Sequence, residues 1–410
     1  MAALAWAALA VGLMGGASIL APMQVAAAEA PAPALPQGAA VAEGAAEVLD
    51  DTLRPFLAEF GLPAIGAAVV VKGNVVAIGA VGTRALGREI PVTVGDRWHI
   101  GSDTKAMTAT LLAMEVEAGR LKWTSTPGDV FPELKASMDP GFAAMPLERL
   151  LSHTSGLEGD NDGDWDLFDQ ARKIKGNLDE ARYFVVKTAA TRKLHHPQGE
   201  FAYSNLGYLI AGAMLERAAG TSWEELIVAK LFEPLGLTSA GLGPQGTLGK
   251  IDAPLGHMDR EGKPFPLLPG PYADNPPVIG PAGTAHMSLA DFARWASWNA
   301  AEGARKPHLL KPESFKRLHT PMIMMDNPNA RPGTPRTGGY GLGWMQNAAP
   351  WTGGRPVLFH GGSNTFNLAH IFVDTEKDAG IVITTNISNP KATEALMKLA
   401  QVLYKKYVTH

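Results

Sequence analysis

Strand-forming runs lie at the two ends of this chain and a mainly helical stretch lies between them. That division limits the fold more than any single motif. Near the start, 65–71 and 75–81 alternate as strands and are joined by Lys72-Gly73-Asn74, which reads as a hairpin turn. Near the end come three more runs, 356–360, 368–373 and 380–385, then an amphipathic helix over 391–407. The pattern over 41–60 predicts an opening helix closed by Gly61. The middle, about 100–300, reads as helix punctuated by Gly119, Gly156, Gly220 and Gly236. Strands this far apart in sequence make one core only by sharing a sheet. The expected class is therefore α+β: an antiparallel sheet built from both termini, flanked by helices, with a mainly helical domain inserted. A cleft between the two parts is the default place for a site.

At 410 residues the chain fits one large or two ordinary domains. Apolar residues make up 46% and charged residues 19%, enough for a sizeable core. The net charge of −4 is spread without long like-charge runs, so nothing points to nucleic acid. The absence of cysteine excludes disulfides, thiolate catalysis, Cys-zinc sites and a lipoprotein anchor. Residues 1–28 are apolar and uncharged, and Ala26-Ala27-Ala28 is a small-x-small cleavage site before the Pro/Ala linker 29–40. This reads as a signal peptide for export to a bacterial periplasm, ahead of a single domain over 41–410. No Lys or Arg precedes the apolar core, so an uncleaved anchor is the competing reading.

Ser102 and Lys105 stand three residues apart in His-Ile-Gly-Ser-Asp-Thr-Lys, just before a helix-forming run over 106–118. On a helix they share one face. A Ser-x-x-Lys is expected about once per chain by chance. Ser388 and Lys391 match it too, with Pro390 between them, and read as a turn into the last helix. Two later signatures in fixed order single out the first pair. They are Tyr203-Ser204-Asn205, the only Tyr-x-Asn, and His360-Gly361-Gly362. His99-Ile100-Gly101 also matches His-x-Gly but precedes the nucleophile.

The chemistry follows from residue types. A serine hydroxyl needs a proton acceptor, and Lys105 is the nearest. For lysine to act as base near neutrality its pKa must fall by about three units, or about 4 kcal/mol. Tyr203 is a second proton carrier. Asn205 offers a donor and an acceptor, to hold Lys105 and a substrate carbonyl or amide. His360 would edge the cleft, and the backbone N–H groups of Ser102 and Ser363, beside Gly362, would receive an oxyanion. His153 reads as a structural hydrogen-bonder. The acidic stretch 158–169 departs from a calcium loop at its glycine and its twelfth position. His195-His196 has no partner at metal-ligand spacing, so no metal and no cofactor is expected.

This ordered set resembles the penicillin-recognising serine hydrolases: class C β-lactamases, DD-carboxypeptidases, D-aminopeptidases and related esterases. The likeness extends to Trp98-His99-Ile100-Gly101-Ser102, to Leu150-Leu151-Ser152-His153-Thr154-Ser155-Gly156-Leu157 and to the segment from Pro197 to Tyr208. Pro281-Ala282-Gly283 and Tyr340-Gly341-Leu342-Gly343-Trp344 match weaker signatures. The resemblance implies a β-lactamase-like fold, with Ser102 as nucleophile, Lys105 as base and Tyr203 as proton shuttle. His360 stands where classical β-lactamases have the lysine of Lys-Thr-Gly, and Gly361 lacks the threonine hydroxyl that would bind a substrate carboxylate. Ser363-Asn364-Thr365-Phe366 also departs from the many members that carry glycine beside an aromatic. The expected activity is acyl transfer from an ester or amide, such as a small ester or a D-amino-acid peptide, with DD-carboxypeptidase or weak β-lactamase as alternatives. A slow sensor or scaffold is the non-enzyme alternative. A Ser-His-Asp α/β-hydrolase would need a Gly-x-Ser-x-Gly elbow, which is absent.

Overall fold

The computed structural model describes residues 46–157, 159, 164–270, 272–326 and 337–409. The expected signal peptide, the linker, the first part of the expected opening helix and five residues of the acidic stretch (158 and 160–163) lie outside these residues.

Among the described residues the strands, in chain order, are β1 (Glu47–Val48), β2 (Ala64–Val71), β3 (Asn74–Gly82), β4 (Arg97–His99), β5 (Gly241–Leu242), β6 (His257–Arg260) and β7 (Lys263–Pro266). They continue as β8 (Ala285–Ser288), β9 (Ile323–Asp326), β10 (Thr337–Tyr340), β11 (Met345–Ala348), β12 (Pro356–Ser363), β13 (Leu368–Asp374) and β14 (Ala379–Thr385). One sheet takes nine of them in the order β1-β3-β2-β14-β13-β12-β11-β10-β9. The expected union of the two termini is the pairing of β2 with β14, antiparallel and in register from Ile65–Thr385 to Val71–Ala379.

Alternation puts different side chains on the two faces of this centre. Ile65, Ala67 and Val69, with Ile381 and Ile383, face the helices Asp50–Phe60 and Pro390–Tyr407. Ala68, Val70 and Val382 face the helix Leu289–Ala300 and the helical part of the molecule. Both faces are covered, which is why these strands are apolar almost without interruption.

The opening helix is shorter than the 3.6-residue period predicts. Residues 47–48 form β1, parallel to Ala77–Ile78, and the helix is Asp50–Phe60, closed by Gly61 at φ 63°. Leu49 is fully buried and its N–H donates to Ile78 O at 3.0 Å. Pairing with the edge of β3 therefore overrides local periodicity in this turn. The middle is mainly helical, but it also carries the short strands β5 to β8, in a three-stranded sheet (β4-β8-β5) and a two-stranded one (β6-β7). At two to four residues each, they are too short to show a period of two. The last helix begins at Pro390, capped by Asn389, whose Oδ1 accepts the Ala392 N–H at 2.8 Å. Ser388 and Lys391 therefore flank a helix start, as read from the sequence.

Candidate active site

Ser102 lies in a 3₁₀ turn, Gly101–Asp103, that runs into the helix Thr104–Glu117. Every residue from Thr104 to Ala113 is buried, so this helix is wrapped on all sides rather than laid on a surface. Its polar residues are stitched to the segment 281–285. Thr108 Oγ1 donates to Pro281 O at 2.7 Å, and Thr104 Oγ1 accepts the Ala285 N–H at 3.1 Å. Lys105 has no exposed surface, and its Nζ donates to Ser102 Oγ at 3.0 Å, Asn205 Oδ1 at 2.6 Å and Ala282 O at 2.8 Å.

Asn205 opens the helix Asn205–Ala219, but the cap is Ser204, whose Oγ accepts the Gly207 N–H at 3.3 Å. Asn205 is thus left to reach Lys105 across 100 residues of sequence. Tyr203 lies at the same corner: Lys105 Nζ is 4.8 Å from its ring centroid, and the His153 ring packs on it at 4.2 Å. Ser102, Lys105, Tyr203 and Asn205 are therefore brought together.

The third signature arrives on β12, which extends through Ser363 and passes against the nucleophile turn. A Cβ on Gly362 would sit 1.8 Å from Ile100 O, and one on Gly101 (φ 52°) would sit 2.3 Å from Ser363 N. Glycine at both positions lets the two backbones touch, so that Ser102 N lies against Gly362 and Ser363 N against Gly101. The Ser363 hydroxyl is engaged elsewhere. It donates to Ser388 Oγ at 2.9 Å and accepts the Thr365 N–H at 2.9 Å.

His360 departs from expectation. It is buried to 1% exposure, and both ring nitrogens are engaged, Nε2 with Tyr340 Oη at 3.0 Å and Nδ1 with Gly361 O at 3.0 Å. It does not edge a cleft or present a cation to one. Its tautomer follows from a chain of hydrogen bonds. The Ser204 N–H donates to His153 Nδ1 at 3.1 Å, so the His153 proton is on Nε2, which meets Tyr340 Oη at 3.1 Å. The Tyr340 hydroxyl then donates to His360 Nε2, and the His360 proton is on Nδ1, facing Gly361 O and, at 3.5 Å, Asp103 Oδ1. Both histidines are neutral in this chain. Burial, reinforced by nearby Lys105, pushes His360 down to about 3 and His153 well below the usual histidine range. Asp103 is fully buried, and its carboxyl is held well above the usual carboxylate range by that burial.

Sequence reasoning assigned no role to Tyr340 or to the Ala282 carbonyl, although both fall in motifs it noted. Asp103 lies inside the Ser-x-x-Lys pattern without being required by it. Among the described residues no group of three or more His, Cys, Asp or Glu side chains could hold a metal ion, and no helix is long and apolar enough to cross a membrane.

A serine hydrogen-bonded by a buried lysine at the mouth of a buried helix, against a strand of a two-ended sheet, is the architecture of the β-lactamase type of serine hydrolase. The Beta-lactamase family model matches residues 49–404, and the chain belongs to that family, within the serine hydrolase superfamily. It is 30% identical over 246 residues to Penicillin-binding protein 4 of Amycolatopsis lactamdurans, covering 60% of this chain and 61% of the relative. It is 22% identical over 365 residues to Protein flp of Staphylococcus aureus strain MRSA252, covering 88% of this chain and 66% of the relative. The chain thus spans less than two thirds of the length of these curated relatives. Among solved structures, the octameric penicillin-binding protein homologue from Pyrococcus abyssi shares the fold with a TM-score of 0.69 at 24% identity, over 87% of this chain and 76% of that one. A D-stereospecific amidohydrolase from a Streptomyces species does so with a TM-score of 0.64 at 19% identity, over 85% and 95%.

Proposed function

We propose that this protein is an exported hydrolase that cleaves an ester or amide through an acyl-enzyme on Ser102, its substrate being a small ester or a D-amino-acid peptide. The observation that carries the reading is the set of three groups around Lys105 Nζ. A neutral amine has two N–H donors and one lone pair. With the Asn205 amide oxygen and the Ala282 carbonyl each taking a donor, loss of the proton that Nζ gives to Ser102 reverses that hydrogen bond and turns the lone pair toward the hydroxyl.

As Ser102 Oγ bonds to the substrate carbonyl carbon, its proton passes to Lys105 Nζ. The carbonyl oxygen becomes an oxyanion facing the Ser102 and Ser363 N–H groups, at the positive end of the Thr104–Glu117 helix. Collapse of the intermediate breaks the bond to the leaving group, which takes the proton held by Lys105, with Tyr203 as the relay at the same corner. Water then attacks the acyl carbon, gives a proton back along the same path, and releases the acid with Ser102 restored.

The neutral, enclosed His360 supports substrates without a carboxylate next to the scissile bond, because this position supplies no cation. The relatives' names keep a D-amino-acid amide within the substrate class. Export is supported by the uncharged apolar segment 1–28 and its Ala-x-Ala boundary.

One panel tests the reading: p-nitrophenyl esters, D-amino-acid amides, D-Ala-D-Ala peptides and nitrocefin, with fluorophosphonate labelling read by intact mass. The expected result is a single adduct on wild type, absent from Ser102→Ala, with ester or amide turnover far above nitrocefin turnover. Absence of an adduct on wild type would instead support a scaffold. Nitrocefin turnover equal to the best ester would overturn the substrate reading.

A further inference from the structure

Near the nucleophile turn lies a second buried polar group that the proposed mechanism does not use. Its centre is Asp274, whose side chain is 2% exposed. Asp274 Oδ1 accepts the Asn364 Nδ2–H at 2.8 Å and the Asn275 N–H at 2.7 Å. It also lies 2.9 Å from His99 Nε2, off the line of a well-aligned N–H bond, so that contact is mainly electrostatic. The other nitrogen of His99, Nδ1, accepts the Gly101 N–H at 3.0 Å. A backbone N–H can only donate, so the His99 proton is on Nε2, facing the carboxylate.

Each arm from Asp274 ends on a segment that builds the site. His99 leads to Gly101, the residue before Ser102. Asn364 follows Ser363, and its Oδ1 accepts the N–H groups of Phe366 at 3.3 Å and Asn367 at 2.9 Å, which shapes the turn leaving β12. Asn275 Nδ2 donates to Gly283 O at 2.7 Å, next to the Ala282 carbonyl that receives Lys105. His99, Asn364 and Asn367 are each at most 2% exposed, so water does not compete for these contacts.

We propose that Asp274 is a positioning residue for the oxyanion donors: through His99 and Asn364 it fixes where the Ser102 and Ser363 N–H groups stand relative to each other. This rests on the acyl-enzyme reading above. It gives the out-of-order His-x-Gly a role, because the His99 tautomer set by the carboxylate keeps Nδ1 as an acceptor for Gly101. An amide at 274 can turn a donor toward Nε2, which drives the ring proton to Nδ1 and sets two donors against each other at Gly101.

The test uses the purified full chain and the p-nitrophenyl ester it turns over best, with competent sites counted by end-point fluorophosphonate labelling of Ser102. Asp274→Asn is expected to lower kcat per labelled site by about 10²-fold, the scale of a displaced oxyanion donor, with KM within about threefold. His99→Asn keeps an acceptor for the Gly101 N–H whatever stands at 274. In that background the same Asp274→Asn change is expected to cost less than about fivefold, a coupling that a merely structural role does not produce. If Asp274→Asn does not fold, Asn364→Ser cuts the second arm and is expected to lower kcat, not raise KM. Unchanged kcat per labelled site in the variant that folds, or equal losses in both backgrounds, would overturn the proposal. A wild type that neither labels nor turns over would instead defeat the acyl-enzyme reading, so the two failures are distinct.

Discussion

The helix Asn205–Ala219 serves two buried cationic side chains, one near each end, in opposite ways. At its start Asn205 meets Lys105, and near its end Glu216 meets Arg182; neither Lys105 nor Arg182 has exposed surface. Arg182 Nε donates to Glu216 Oε1 at 3.0 Å and its Nη1 to Glu224 Oε1 at 3.0 Å, while Glu216 also accepts the Trp223 N–H at 2.9 Å. Burial opposes its charge, but the two carboxylates override this and hold the guanidinium above even its usual range. Lys105 donates instead to a hydroxyl, an amide and a carbonyl. A guanidinium cannot surrender its proton, and its carboxylate partners would not release it. An amine held by neutral acceptors can lose a proton and keep its place. Both clusters order the same core, and the kind of partner decides which one can do chemistry.

The largest effect should come from changing Lys105. Lys105→Met and Lys105→Arg should each lower kcat/KM on the best ester by about 10³-fold or more, because the first removes the base and the second makes it a permanent cation. An active Lys105→Arg would break the comparison. Next comes Arg182→Ala, which leaves Glu216 charged and uncompensated. Urea unfolding should show a loss of about 3–5 kcal/mol, while turnover per folded molecule stays within about twofold. A loss of turnover without loss of stability would mean that the two clusters are not separate in function.

Another effect concerns pH. His360 is pushed down to about 3, and burial takes His370 and His286 down to about 4. The unfolded chain therefore binds more protons than the folded one once pH drops below about 6.5. The share of stability set by these histidines should be level above that pH and fall below it by up to about 1.4 kcal/mol per unit for each of them. A melting temperature that stays flat from pH 7 to 4.5 would contradict this. Smallest is Asp103→Asn. Because Asp103 is held protonated by burial, its stability contribution is present at low pH and lost as pH rises above the unfolded carboxylate value. The amide should therefore raise the melting temperature at pH 8 more than at pH 4.

The fold was legible wherever a strand-forming apolar run was long enough, as in β2, β3, β13 and β14. Residues 47–48 and β5 to β8 were not, since two to four residues carry no period, and β1, β5 and β8 also take their pairing from chain beyond their neighbours. In the site, Ser102, Lys105, Tyr203 and Asn205 could be placed together because the helix period and ordered motifs constrain them. The burial of His360 could not, because it depends on Tyr340 and His153, each brought by a different segment. Asp274 left no local signal at all: it sits in an irregular turn, and only the folded chain brings it to His99 and Asn364.

The sheet's centre has a consequence for the order in which the molecule takes shape. Thr385 Oγ1 donates to Ala64 O across a separation of 321 residues, so β2 pairs with β3 at once but meets β14 only after the whole intervening chain has been made. Until then one apolar edge stands open, and closing so long a loop slows folding far more than it weakens the product. A chain cut short before Ala379 would lose β14 and the helix Pro390–Tyr407 and would expose an edge of β2 to any passing strand.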